Sequence, residues 1–192
     1  MIMSRQAKTF VTPEEYLAYE RRAENRNEYF DGEIFAMTGA SRKHNLISLN
    51  IGAELRFLLR GRNCEAYVSD MRVRIPSANL YMYPDVVAVC GEPEFEDVDV
   101  DTLLNPTLIV EVLSKSTASY DRAEKFDYYR TLPSLTEYLL VSQDEFHVTQ
   151  YVRQTEGRWL LTDHRSPEDT LQLESVECSL SLRDIYDKVS IP

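Results

Sequence analysis

The sequence predicts an α/β or α+β fold built around a mixed β-sheet, on three observations. Helical patterns and strand-like runs are interleaved along the 192 residues instead of being segregated into blocks. Two aliphatic runs, Tyr83-Pro84-Asp85-Val86-Val87-Ala88-Val89 and Leu108-Ile109-Val110-Glu111-Val112-Leu113-Ser114, have the composition of buried strands. The last part of the chain reads as a series of short strands, an antiparallel meander added to the core. The length suits a single domain over 1–192, with a core over about 12–142 and the meander and a short helix over about 145–190.

Each element has a local reason. In Thr12-Pro13-Glu14-Glu15, Thr12 can cap a helix, proline fits its first turn and Glu15 completes a capping box, so a helix is expected to about residue 25. Asp31-Gly32 is a favoured two-residue turn, which makes 27–37 a hairpin. Ser41 opens a second helix whose Ile47, Ile51, Leu55 and Leu58 form one apolar face, and Gly61 is placed to end it. Met71, Val73 and Ile75 alternate with Arg72 and Arg74, the pattern of a half-exposed strand. Residues 91–105 are acidic and irregular and read as a solvated loop. A helix is expected over about 120–131, stopped before Pro133, then a strand at Glu137-Tyr138-Leu139-Leu140-Val141. Runs 146–153, 158–163 and 171–173 form the meander, and 182–189 a short helix.

Lys and Arg number 21 against 32 Asp and Glu, a formal charge of −11. That excludes nucleic-acid binding through the whole surface, which depends on neutralising phosphates, but leaves room for a local basic patch or a metal. Arg56, Arg60, Arg62, Arg72 and Arg74 are the candidates for a patch; the alternative is a solvated helix end and an outer strand face. Cys64, Cys90 and Cys178 show no CxxC spacing, so no zinc site is expected. Their odd number fits a reducing compartment, with Cys90 a small core residue. Without a leader or an apolar run of about eighteen residues, the expectation is a cytoplasmic protein with no membrane span.

The chemistry follows from one carboxylate in each aliphatic run. An unpaired buried charge costs several kcal/mol, so Asp85 and Glu111 call for a cation. They lie 26 residues apart on strands able to sit side by side, and hard oxygen donors of this kind suit a shared Mg2+ or Mn2+ ion. In the helix after Glu111, Asp121, Lys125 and Tyr128 share one face, from which Lys125 can fold back over the carboxylates. Two carboxylates, an ion and an ammonium are the means for metal-assisted phosphodiester hydrolysis. Glu28 can add a carboxylate, and His44, in the first turn of the second helix, can orient water, donate to phosphate or act as a base. Tyr128 is expected to point inward ahead of Tyr129. His147 and His164 fall where nothing converges on them, and Trp159 reads as a meander core residue.

Pro84-Asp85 before an aliphatic run, with Glu111 inside a second one, resembles the PD-(D/E)XK nuclease superfamily. The segments over 28–34, 84–87, 108–114 and 121–129, with the strand at 137–141, resemble the Uma-type family of proposed restriction endonucleases, and the likeness spans about 12–185. It implies a restriction-endonuclease-like core, magnesium dependence, DNA as substrate and a homodimer. One position departs from the superfamily pattern. Where a lysine is expected two residues after the acid, this chain has Leu113, so Lys125, or failing it Lys115, must supply the charge. Two other functions remain in play: a nuclease-fold binding or regulatory module without turnover, and a metal-dependent hydrolase of a smaller phosphorylated substrate.

Overall fold

The computed structural model describes residues 10–114 and 121–191, and Lys115 lies outside them. Helix α1 (Pro13–Glu20) starts as the sequence dictates. Thr12 Oγ1 accepts the Glu15 N–H at 3.3 Å, and the Glu15 carboxylate accepts the Thr12 N–H at 2.8 Å. It ends at Glu20 rather than near residue 25, because the chain turns there and the Glu20 carboxylate accepts from the backbone and side-chain nitrogens of Asn27. Strands β1 (Asn27–Phe30) and β2 (Glu33–Ala36) form the expected hairpin. Its two turn residues, Asp31 (φ 40°) and Gly32 (φ 95°), both take the left-handed conformation that a type I′ turn demands. Ser41 caps α2 (Arg42–Leu58), whose Ile47, Ile51 and Leu55 are fully buried.

The remaining strands are β3 (Cys64–Val68), β4 (Arg72–Ile75), β5 (Leu80–Met82), β6 (Val86–Cys90), β7 (Thr102–Leu103), β8 (Leu108–Leu113), β9 (Glu137–Ser142), β10 (Val148–Arg153), β11 (Trp159–His164), β12 (Thr170–Leu173) and β13 (Cys178–Ser181). A π-helical turn (Asp121–Lys125) runs into α3 (Phe126–Tyr129), and α4 (Leu182–Ile185) follows β13. The sequence predicted one mixed sheet; the strands form a five-stranded sheet ordered β2-β1-β5-β4-β7 and a six-stranded sheet ordered β11-β10-β9-β8-β6-β3. Both are mixed: β8 pairs antiparallel with β6 and parallel with β9, and β4 pairs parallel with β7. The expected meander divides. Strands β10 and β11 extend the six-stranded sheet, whereas β12 pairs with β13 in a separate hairpin.

The six-stranded sheet is covered on both faces, which explains its continuous aliphatic runs. Val86, Ala88, Leu108, Val110 and Val112 face α2, α4 and the β12–β13 hairpin. Val87, Val89, Ile109, Leu113, Tyr138 and Leu140 face the five-stranded sheet and Tyr129 of α3. A third cluster, Tyr16, Leu17, Tyr29 and Tyr81, packs α1 against the five-stranded sheet. Burying one such side chain contributes roughly 1.5–3 kcal/mol, so each polar residue inserted among them forfeits that stabilisation.

Three local expectations are revised. Arg72 is buried, not on an exposed strand face, because Asp101, Thr102 and Tyr83 surround its guanidinium. The acidic segment 91–105 is not merely solvated: it contributes β7, Glu96 pairs with Arg74, and Asp97, Asp99 and Asp101 surround Arg21. Cys64 and Cys90 stand opposite each other across the antiparallel β3–β6 pair and are joined as a disulfide, leaving Cys178 as the free thiol. Their separation of 26 residues hid a cross-strand neighbour, and the reasoning from scattered cysteines to a reducing compartment loses its basis. Among the described residues no helix is long and apolar enough to cross a membrane.

Candidate active site

Asp85 sits between Pro84 and the start of β6, where the β6–β8 ladder ends at the pair Val86 and Val110. Its Oδ2 accepts the Val112 N–H at 2.7 Å, so the carboxylate takes over a backbone donor just past the end of that ladder. That bond places Asp85 beside the residue that follows Glu111. His44 Nε2 approaches the same oxygen at 3.2 Å. The helix cap at Ser41 ties the turn that carries His44 to the neighbouring strand end. Ser41 Oγ accepts the His44 N–H at 3.1 Å and donates to Gln143 Oε1, while Gln143 Nε2 donates to the Leu113 carbonyl at 3.0 Å. The first turn of α2 is thereby pinned to the end of β8.

Glu111 is only 4% exposed and shares the sheet face of Ile109 and Leu113. Its Oε1 accepts from Lys125 Nζ at 3.2 Å and from the Tyr129 hydroxyl at 3.0 Å. Lys125 ends the π-helical turn, and Tyr129 lies four residues on, so one face of the segment delivers both donors to one oxygen. π-Helical turns occur often at functional sites. Burial, with the nearby carboxylate of Glu111, pushes the Tyr129 hydroxyl well above the usual tyrosine range, so it stays a donor. Glu28 Oε1 lies 3.9 Å from Lys125 Nζ. The ammonium therefore sits between two carboxylates.

Asp85, Glu111, Lys125, Glu28 and His44 all line one open cleft of about 1010 Å³. The sequence missed three contributors. Tyr129, and not Tyr128, is the inward ring: Tyr129 is fully buried against Tyr138, while Tyr128 packs half-buried on Phe30. Gln143 carries no signal beyond being polar after a strand. A buried network also fixes the entry of β1 beside Glu28. Arg72 Nη1 donates to the Tyr83 hydroxyl at 3.1 Å, Tyr83 donates to Glu20 Oε1 at 3.0 Å, and Glu20 holds both nitrogens of Asn27. The Tyr16 hydroxyl closes it on the Asn27 carbonyl at 2.6 Å. Burial raises the Tyr83 hydroxyl above the ordinary tyrosine range. The side chain of Asp121, expected on the face of Lys125, is outside the described residues. His147, expected to meet nothing, pairs with Asp163 at 2.7 Å, and His164 Nε2 is 3.1 Å from Gln150 Oε1; neither lines the cleft.

The donor set suits a hard divalent ion. Mg2+ takes one or two carboxylates and completes its shell with water and substrate phosphate oxygens. Asp85 and Glu111 supply two carboxylates, and Oδ1 of Asp85 has no hydrogen-bond partner among the described residues. Among those residues no group of three or more His, Cys, Asp or Glu side chains encloses an ion without such outside ligands.

Comparison with known proteins bears on the fold and the family. The fold is shared with the crystal structure of a "putative nuclease belonging to DUF820" from Anabaena variabilis. The TM-score is 0.76 at 18% identity, covering 94% of this chain and 99% of that one. Two uncharacterized proteins of Synechocystis sp. are similar in sequence. The protein sll1609 is 41% identical over 153 residues, 80% of this chain and 86% of the relative. The protein slr1290 is 38% identical over 176 residues, 92% and 91%. The model of the Uma2 family, described as "Putative restriction endonuclease", matches residues 13–183. With that match covering most of its length, the chain belongs to the Uma2 family.

Proposed function

We propose that this protein is a magnesium- or manganese-dependent endonuclease that hydrolyses phosphodiester bonds in DNA. The observation that carries the reading is the bond from Val112 N–H to Asp85, which sets Asp85 next to Glu111 in one cleft, with Lys125 on Glu111. The descriptions attached to the family and to the structural neighbour support the same class of reaction.

Asp85 and Glu111 would hold the ion. When bound, the ion polarises the phosphate and lowers the pKa of attacking water. The chain's own groups do the rest. Lys125, 3.2 Å from Glu111 Oε1 and 3.9 Å from Glu28 Oε1, faces negative charge developing on the phosphate. His44, held at the cleft wall by Asp85 and by its capped helical turn, is placed to donate to a phosphate oxygen. Water attacks phosphorus and gives up a proton to solvent, one P–O ester bond breaks, and the leaving oxygen takes a proton from solvent. Leu113, at the superfamily's lysine position, is buried in the core, and Lys125 fills its role from the following helix. Cutting both strands of a duplex calls for two such centres, hence a homodimer.

The test is incubation of supercoiled plasmid and single-stranded DNA with Mg2+ or Mn2+, comparing the wild type with Asp85→Ala and Lys125→Ala. Cleavage abolished in both variants is expected. Calorimetric metal binding dependent on Asp85 and Glu111, without cleavage of any nucleic acid, would replace this reading with a module lacking turnover or a hydrolase of smaller phosphorylated molecules.

A further inference from the structure

The cations of the cleft wall are committed. Arg21 pairs with Asp97, Asp99 and Asp101, Arg26 with Asp70, and Arg72 with Asp101. Of the arginines singled out as a basic patch, Arg62 pairs with Glu177 and Arg74 with Glu96. Arg56 and Arg60 differ. Both are exposed, and among the described residues neither makes an ion pair. Arg42, at the first position of α2, is exposed and unpaired in the same sense.

These three arginines share one surface. The exposed positions of α2 are Arg42, Asn45, Leu49, Ala53, Arg56 and Phe57, a stripe opposite buried Ile47, Ile51 and Leu55, and Arg60 continues it. The Arg60 guanidinium lies over the Phe57 ring, 5.6 Å from its centroid. Residues 42–60 hold four cations (Arg42, Lys43, Arg56, Arg60) against one carboxylate, half-buried Glu54, in a chain of net charge −11. Lys43 is paired with Asp144. The stripe also meets the cleft, since His44 and Asn45 line it. From Arg42 to Arg60 the helical rise covers about 27 Å, a length over which a duplex carries on the order of 15 phosphate charges.

We infer that the exposed face of α2 is a docking surface for the phosphate backbone of a nucleic acid whose scissile bond lies in the cleft. This rests on the nuclease reading and extends it: the substrate continues well beyond the reacting phosphate. A polyanion fits the surface better than a second copy of the chain. Two-fold pairing of this stripe sets it against itself, bringing Arg42 towards Arg56 and Arg60 of the other copy with Glu54 alone to offset them.

The experiment measures binding of a labelled duplex of about 20 base pairs, with Ca2+ in place of Mg2+, across salt concentrations. Arg42→Gln, Arg56→Gln and Arg60→Gln are combined in one variant. Affinity is expected to fall tenfold or more, and the slope of log K against log salt to shrink by about 2.7, three phosphate contacts' worth. The matching triple Arg→Lys variant should keep the wild-type slope. Unchanged melting temperatures confirm the fold, as all three side chains are exposed. Wild-type affinity and slope in the triple Gln variant, or no duplex binding by the wild type, would overturn the inference. So would a self-associating wild type dissociated by Leu49→Ser/Phe57→Ser, with duplex binding indifferent to the arginines. Hydrolysis of bis(4-nitrophenyl) phosphate, too small to span α2, is followed in parallel. Its absence in the wild type counts against the cleft chemistry, while the duplex titration still decides the docking surface.

Discussion

Two buried glutamates stand on adjacent parallel strands and face opposite sides of the same sheet. Glu111 of β8 points towards the five-stranded sheet and the cleft, where Lys125 and Tyr129 meet it. Glu137 of β9, fully buried, pairs with no ammonium or guanidinium among the described residues. It is sealed under the β12–β13 hairpin by neutral donors: Gln150 Nε2, the Ser175 hydroxyl and the Ser175 N–H. Burial raises the Glu137 carboxyl above its usual range despite those bonds. A carboxylate inside an aliphatic strand is therefore not in itself a mark of chemistry. What sets Glu111 apart is a cation beside it and an opening in front of it.

The largest test of that distinction is catalytic. Glu111→Gln and Asp85→Asn should each lower metal-dependent DNA cleavage by on the order of 10³-fold, a loss typical of removing a group that stabilises transition-state charge. Glu137→Gln should leave the cleavage rate of the folded protein unchanged. A Glu137 variant with a comparable catalytic defect and an intact melting curve would erase the difference between the two residues.

Next in size is the cation. Lys125→Met takes the ammonium away from the buried Glu111 carboxylate and should cost roughly 3 kcal/mol at neutral pH. Adding Glu111→Gln should recover most of that loss, so a double-mutant cycle in urea is expected to show strong coupling. Additive effects would mean that Lys125 and Glu111 do not sense each other in solution.

Much of this was legible in the sequence, for physical reasons that also mark where it stopped. The cap at Thr12, the Asp31-Gly32 turn and the apolar face of α2 are local rules, and they appear as expected except that Leu58 is half-buried and Leu59 buried in its place. Asp85 and Glu111 stood out as lone acids in aliphatic runs, but Glu137-Tyr138-Leu139-Leu140-Val141 carries the same signal and read only as a strand. The difference lies in partners 14 and 18 residues downstream of Glu111, which tertiary structure brings back. Tyr128 and Tyr129 are both within reach of the Lys125 face, so helical spacing alone does not choose between them. The split into two sheets and the Cys64–Cys90 pairing depend on registers between distant short strands, which no local pattern encodes.

A smaller effect reads the two kinds of environment through pH. Glu137 has a raised folded-state pKa, so its stabilising contribution is complete below the ordinary carboxylate range and is lost as pH rises through the folded value. Glu137→Ala takes the acceptor from the Ser175 N–H and hydroxyl and one of the two acceptors from Gln150 Nε2, and should cost about 1–3 kcal/mol. That penalty should be greatest near pH 4 and shrink towards neutrality.

Asp101 supplies the opposite sign and the smallest effect. Its hydrogen bonds to Arg21, and then to Arg72, hold its carboxyl well below the usual range. The native state thus binds its proton less readily than the unfolded chain. The stability it contributes is present above the ordinary carboxylate pKa and is lost as pH falls towards the depressed one. With the side chain one-third exposed, solvent screens the pair, and Asp101→Asn should cost only about 1 kcal/mol at pH 7. That cost should vanish in acid, where Glu137→Ala costs most. Both variants should melt below the wild type, the gap widening towards neutral pH for Asp101→Asn and towards acid for Glu137→Ala. Parallel profiles would show that a guanidinium, present at Asp101 and absent at Glu137 among the described residues, does not decide how a carboxylate behaves in this fold.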